Sequence, residues 1–179
     1  MVIWVTGISG SGKSTVCKKI FQMAKPYIPE LIWLDGDVVR YLFNDTLGHS
    51  EKDRVKQIKR IQRLAKELDA QEMVVLVAAL YSHPELLSWN KTHFSDYSEI
   101  YLEASLKLVK ERDPKGLYAK LQSSDTPNVV GIDIPWHIPQ NPTFKFKMER
   151  EITPETSAEK IIRAIPSLSS RLLMTLSDD

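Results

Sequence analysis

A chain of 179 residues, 42% apolar and 26% charged, has the length and balance of one globular domain with a full core. A formal net charge of +1 argues against a nucleic-acid or membrane partner. The single cysteine, Cys17, excludes an internal disulfide and suits a reducing cytoplasm.

Val2–Thr6 (VIWVT) is the first buried-strand candidate, and the opening MVIWVTG carries no basic n-region and no cleavage site of a signal peptide. Gly7–Ser14 (GISGSGKS) fits G-x-x-x-x-G-K-[ST], and it follows a strand and opens a helix predicted over Lys13–Ala24. The chemistry asks for these residue types. Gly10 and Gly12 let the backbone bend so that successive N–H groups point at phosphate oxygens. The positive end of the following helix adds to that field. Lys13 is spaced to reach the β- and γ-phosphates of ATP, and the Ser14 hydroxyl to ligate Mg²⁺. Gly7, Ser9, Gly10, Ser11, Gly12, Lys13, Ser14 and Thr15 are therefore the expected phosphate cradle.

Leu31–Leu34 (LIWL) is the second strand, with Asp35 just past its end. Asp35 is the expected partner carboxylate, holding a Mg²⁺-bound water or accepting the proton of an attacking hydroxyl. Arg40 and Arg54 follow, and arginine is suited to holding an anion by two parallel hydrogen bonds. Ser50–Asp53 resembles a capping box opening a long helix, Glu51–Ala70, whose Val55, Ile58, Ile61, Leu64, Ala65 and Leu68 fall at spacings of three and four. Arg54 stands in its first turn, where the helix end favours an anion. Lys52, Arg54, Lys56, Lys59, Arg60, Arg63 and Lys66 set seven positive charges against Asp53, mostly a solvated face.

Met73–Ala79 is the third strand, within an apolar run far too short to span a bilayer. A helix around Glu85–Phe94, a strand Glu99–Glu103, a helix Ser105–Arg112, a strand Phe144–Met148 and a helix Ser157–Ala164 complete the pattern. The tail after Pro166 has no clear assignment. Strand–helix alternation predicts an α/β fold, a five-stranded parallel sheet with helices on both faces and ligands at the strands' C-terminal edge. Asp113–Pro142 breaks the alternation with thirty residues and five of the ten prolines, the profile of a lid. His49, His83, His93 and His137 show no metal-ligand spacing. A GTPase switch is excluded: DTLG at Asp45–Gly48 and NKTH at Asn90–His93 lack the strand context, and the second lacks its aspartate.

The segments GISGSGKST, LDGDVVR, LGHSEKDR, IKRI, ERDPKGLY, GID and NP together resemble the adenylylsulfate kinases, in order from Val2 to about Met148. The resemblance implies a P-loop nucleotide-kinase fold over residues 1–179 with a lid at about 113–142. It further implies Mg-ATP as donor, a small-molecule nucleotide acceptor whose ribose 3′-hydroxyl is phosphorylated, and a homodimer. It places Asp35 near Mg²⁺ and the accepting hydroxyl, Arg112 and Lys115 against the ATP, and Asp37, Arg40, His49, Arg54, Gln57, Val129 and Ile132 around the acceptor. The departures fall on the acceptor side. His49 and Val129 stand where the family carries two phenylalanines that sandwich the acceptor's adenine. Gln57 and Val38 replace asparagines, and LYSHPE puts Tyr81 or Ser82 where the family carries a serine. Those changes keep a second acceptor open, another 5′-modified nucleotide such as a cytidine diphosphoramidate. A non-catalytic ATP-binding module is the weaker alternative.

Overall fold

The computed structural model describes residues 1–44, 46–113 and 128–177, with side chains to residue 172. Five strands form one parallel sheet: β1 (Val2–Thr6), β2 (Leu31–Asp35), β3 (Val74–Ala79), β4 (Tyr97–Glu103) and β5 (Phe144–Lys147), in the spatial order β2-β3-β1-β4-β5. Seven helices are described: α1 (Lys13–Ala24), α2 (Gly36–Leu42), α3 (Glu51–Ala70), α4 (Pro84–His93), α5 (Leu106–Arg112), α6 (Pro154–Ala164) and α7 (Pro166–Ser177).

The centre of the sheet is buried on both sides because β1 and β3 carry near-continuous apolar runs, whereas the edge strand β5 (FKFK) alternates apolar with exposed lysine. Ile3, Val5, Leu76, Ala78, Ile100 and Leu102 face α1, α6 and α7, where Cys17, Ile20, Ala158, Ile161 and Leu168 pack on them. Val2, Trp4, Val75 and Val77 face the other way, onto Val39 of α2, Ile58, Ile61 and Ala65 of α3, and Leu86 and Leu87 of α4. The register brings Thr6, Ala79 and Tyr101 level across β1, β3 and β4. The strand C-termini therefore end together, as the alternation predicts.

Three elements differ from the sequence reading. The α2 helix is absent from it: β2 passes into this helix with no loop, because the Asp35 side chain accepts the Asp37 amide (2.9 Å) and caps the turn. At α6 the helix begins at Pro154, three residues before Ser157, with Thr153 as its cap and proline at its first position. The tail after Pro166 is helix α7, held by the fully buried Leu168.

Of the expected lid, residues 114–127, including Lys115, lie outside the described residues. Residues 128–134 form a compact turn rather than a patternless loop. The Asp133 carboxylate accepts the Asn128 and Val129 amides, and the Gly131 amide donates to the Ile134 carbonyl (2.8 Å). Burial acts to raise the Asp133 carboxyl, and those amide bonds outweigh it and hold it below its ordinary value. Val130 and Ile134 are buried in the same core as α3 and α4, and Gly131 (φ 90°) lies against Ile8.

Candidate active site

The phosphate signature forms the turn its spacing requires. The chain leaves β1 at Thr6, bends through Gly10 (φ 79°) and Gly12 (φ 95°), and enters α1 at Lys13. An L residue with a side chain pays a steric penalty at such angles, so glycine is needed at both. The Lys13 ammonium curls over the loop and donates to the carbonyls of Gly7 (2.8 Å) and Ile8 (2.9 Å). Ser11 is fully buried, and its hydroxyl has no hydrogen-bond partner in the fold. Ser14 and Thr15 are exposed at the start of α1, and Ser9 and Gly10 are half-buried.

Asp35 ends β2, two strands from β1 in the sheet, a backbone separation of about 10 Å. One carboxylate oxygen accepts the Asp37 amide, while Oδ2 is buried without a partner. A carboxylate oxygen shut from water and unpaired is costly unless something cationic or protic meets it. Cys17, on α1 behind the loop, senses both groups: burial pushes its thiol up, the Asp35 carboxylate pushes it further, and Lys13 pulls it down. The thiol therefore stays protonated and takes no part as a nucleophile.

On the Asp35 side of the loop the two arginines lie close enough to repel. Arg40 is 9% exposed and donates to the carbonyls of Leu47 (2.5 Å) and Gly48 (3.0 Å). Arg54 donates through Nε to the His49 carbonyl (3.0 Å) and through Nη2 to the Asn128 carbonyl (2.7 Å). Burial lowers the Arg54 pKa, and the Arg40 charge lowers it further. Backbone carbonyls thus orient two cations beside one another, an arrangement that favours an anion between them.

The remaining acceptor-side positions divide. Asp37 and His49 are exposed at the rim, and Ile132 is 47% exposed. Val129 is buried (6% exposed), beneath the turn. Gln57 is engaged at both ends, with Nε2 donating to the Gly36 carbonyl (3.0 Å) and Oε1 accepting from Arg60 (3.2 Å). It braces the start of α2 rather than pointing an open amide outward. The Ser82 hydroxyl is also committed, to the His137 carbonyl (2.5 Å).

On the opposite flank of the loop, between α5 and the turn after β5, lies a cavity of about 830 Å³. Ile8, Tyr101, Lys107, Glu111, Trp136 and Arg150 are among its lining residues. None was expected as a site residue; Ile8 and Glu111 entered only as positions within GISGSGKST and ERDPKGLY. The readable signal was topological, because residues just past β4 and β5 must stand at the ligand edge of a parallel sheet. Arg112 stands at the end of α5 with Nη2 on the Glu149 carbonyl (3.1 Å). No cluster of candidate metal ligands occurs among the described residues, and no described helix is long and apolar enough to cross a membrane.

Residues 1–147 match the family described as adenylylsulphate kinase. The chain belongs to the adenylylsulphate kinase family. Its relatives include the adenylyl-sulfate kinase of Staphylococcus epidermidis, 38% identical over 168 residues, covering 90% of this chain and 82% of the relative. The cytidine diphosphoramidate kinase of Campylobacter jejuni is 36% identical over 142 residues, covering 78% and 81%. Among solved structures, the Mycobacterium tuberculosis APS kinase in complex with AMPPNP and APS superposes with a TM-score of 0.82 at 30% identity, covering 91% of this chain and 95% of that one. Members of the adenylylsulphate kinase family are ATP-dependent kinases acting on a hydroxyl, so the chain is an enzyme of that class. The α/β sheet and its P-loop are the fold the sequence predicts.

Proposed function

We propose that this protein transfers the γ-phosphoryl group of ATP to the ribose 3′-hydroxyl of adenosine 5′-phosphosulfate. The observation that carries the reading is the buried, unpartnered Oδ2 of Asp35, at the end of β2 two strands from the phosphate loop, on the residue that caps the helix carrying Arg40. A donor held by the loop and an acceptor held by the arginines meet at that oxygen.

In this reading Gly7, Ser9, Gly10, Ser11, Gly12 and Thr15 cradle the ATP phosphates, with the Ser11 hydroxyl as one further donor. Lys13 leaves its two loop carbonyls for the β- and γ-phosphates. The donor's nucleoside lies toward the cavity beside α5, with Arg112 and Lys115 against it. Asp35 orients the accepting hydroxyl and takes its proton. Arg40 and Arg54 fix the acceptor's anionic group, and Asp37, His49, Gln57, Val129 and Ile132 surround the rest. The orphaned Asp35 oxygen and the exposed Ser14 hydroxyl fit Mg²⁺, which when bound neutralises charge on the transferring group. The protein works as one kinase domain over residues 1–179, as a homodimer in the cytoplasm.

A second acceptor has one observation in its favour. No aromatic carbon ring stands at residue 49 or 129, and stacking on such a ring contributes roughly 1–3 kcal/mol per base. A pyrimidine nucleotide with a 5′-phosphoramidate, read by the exposed His49 imidazole, is therefore the competing substrate.

A coupled assay of ADP release decides between them. With adenosine phosphosulfate the expected kcat/KM is about 10⁴ M⁻¹s⁻¹ or better. Turnover of cytidine diphosphoramidate alone overturns the primary reading. Lys13→Ala is expected to abolish release with either acceptor, and full activity in that variant refutes the kinase chemistry.

A further inference from the structure

The first turn of α3 is tied down from outside by Tyr81, which the sequence marked only as a departure from the family's serine. Tyr81 follows β3 and is 2% exposed, with its ring in the core shared by α3, α4 and the 130–134 turn. Its hydroxyl crosses to Glu51, the first residue of α3, and donates to Oε1 at 2.5 Å. Burial raises the phenol's pKa and the Glu51 carboxylate raises it further, so the hydroxyl remains a donor throughout the working range. Arg54 stands three residues on from Glu51, on the same side of the helix. Its own bonds run to the His49 and Asn128 carbonyls. The neighbours of Tyr81 hold the facing segment as well. Its ring meets the His137 ring edge-on at 6.1 Å, and Ser82 donates to the His137 carbonyl. Residues 81–82 thus grip both walls between which Arg54 is stretched: the start of α3 and the segment running from Asn128 to His137.

We infer that Tyr81, through its hydrogen bond to Glu51, is a positioning residue that sets the Arg54 guanidinium for the acceptor's anionic group, and so determines acceptor affinity. It touches neither substrate. The bond fixes the rotation and height of the first turn of α3, and Arg54 inherits that placement. This inference rests on the acceptor role proposed for Arg54. It adds a specificity determinant that acts from the core behind the site.

The test is steady-state kinetics with ATP and adenosine phosphosulfate on four variants. Tyr81→Phe removes the hydroxyl and keeps the ring, and is expected to raise KM for the acceptor about fivefold, the range of one lost hydrogen bond. KM for ATP and kcat stay near the wild-type values. Glu51→Ala has the same effect, whereas Glu51→Gln restores an oxygen that accepts from Tyr81 and returns the acceptor KM to the wild-type range. The double variant Tyr81→Phe with Glu51→Ala is no worse than the worse single one. A purely structural role would lower the melting temperature and leave the two KM values moving together, and that result overturns the inference. So does an acceptor KM unchanged in Tyr81→Phe. A wild-type enzyme that ignores adenosine phosphosulfate refutes the functional reading itself, and is told apart because it fails before any substitution is made.

Discussion

Gly131→Ala tests whether the 128–134 turn is seated on the phosphate loop as described. Gly131 has φ 90°, and a Cβ there would stand 2.6 Å from Cδ1 of Ile8. Two costs follow. Left-handed backbone in a residue with a side chain costs about 1–2 kcal/mol. Pushing Ile8 off its rotamer costs about 0.5–1.5 kcal/mol more, and the second term is separable. Ile8→Val deletes the one methyl that would clash, at an independent cost of about 0.5–1.5 kcal/mol. In the Ile8→Val background Gly131→Ala should retain only the backbone term, so a double-mutant cycle should give a coupling of about 0.5–1.5 kcal/mol. At about 2–4 °C per kcal/mol for a chain of this size, the single Gly131→Ala substitution should lower the melting temperature by about 3–14 °C. Thermal unfolding followed by circular dichroism on the four proteins reads both quantities. An unchanged melting temperature, or equal costs in the two backgrounds, refutes the contact between the turn and Ile8.

Asp35→Asn keeps an oxygen to accept the Asp37 amide, so the cap on α2 and the melting temperature should survive while kcat falls about 10²–10⁴-fold; a fall of less than about tenfold would remove Asp35 from the proton transfer. Arg54→Lys can keep at most one of the two bonds to the His49 and Asn128 carbonyls, and should raise the acceptor KM about tenfold or more with KM for ATP little changed. Glu99 is buried with Oε1 unpartnered, its Oε2 accepting from Tyr97 (3.1 Å) and Lys91 at 4.0 Å. Burial raises its pKa above 4.5, so the folded state holds the proton more tightly than the unfolded chain does. Stability from this group is full below about pH 4.5 and is lost as pH rises through the folded value. Glu99→Gln should therefore melt higher than the parent at pH 8, with the gap narrowing toward pH 4.5. A gap independent of pH would show that the carboxyl is not raised.

The donor half of the site was readable in the chain because its chemistry is carried by backbone geometry. A loop that aims amides at phosphate must have glycine at Gly10 and Gly12 and a helix behind it, and those demands write themselves into eight consecutive residues. The sheet was readable for a similar reason, since continuous apolar runs such as Val74–Ala79 suit only strands covered on both faces. The acceptor half obeys no such rule. Arg40 and Arg54 are aimed by carbonyls of Leu47, Gly48, His49 and Asn128, and a carbonyl is present whatever residue supplies it. Spacing could nominate the two arginines but could not say what orients them. Gln57 is the instructive case. The resemblance places it around the acceptor, yet its amide is drawn inward by the carbonyl of Gly36, exposed for capture because β2 runs straight into α2. The same missing loop hid α2 from the periodicity, seven residues being too short for a stripe to emerge. Tyr81 was visible only as a departure from the family's serine, and its bond to Glu51 joins residues thirty positions apart that no spacing links. The residues proposed for the acceptor side are therefore held by one another and by backbone carbonyls. If the Tyr81–Glu51–Arg54 arrangement sets the anion site as inferred above, His49→Phe should change the ratio of kcat/KM between adenosine phosphosulfate and cytidine diphosphoramidate less than Tyr81→Phe does, and the reverse order refutes it.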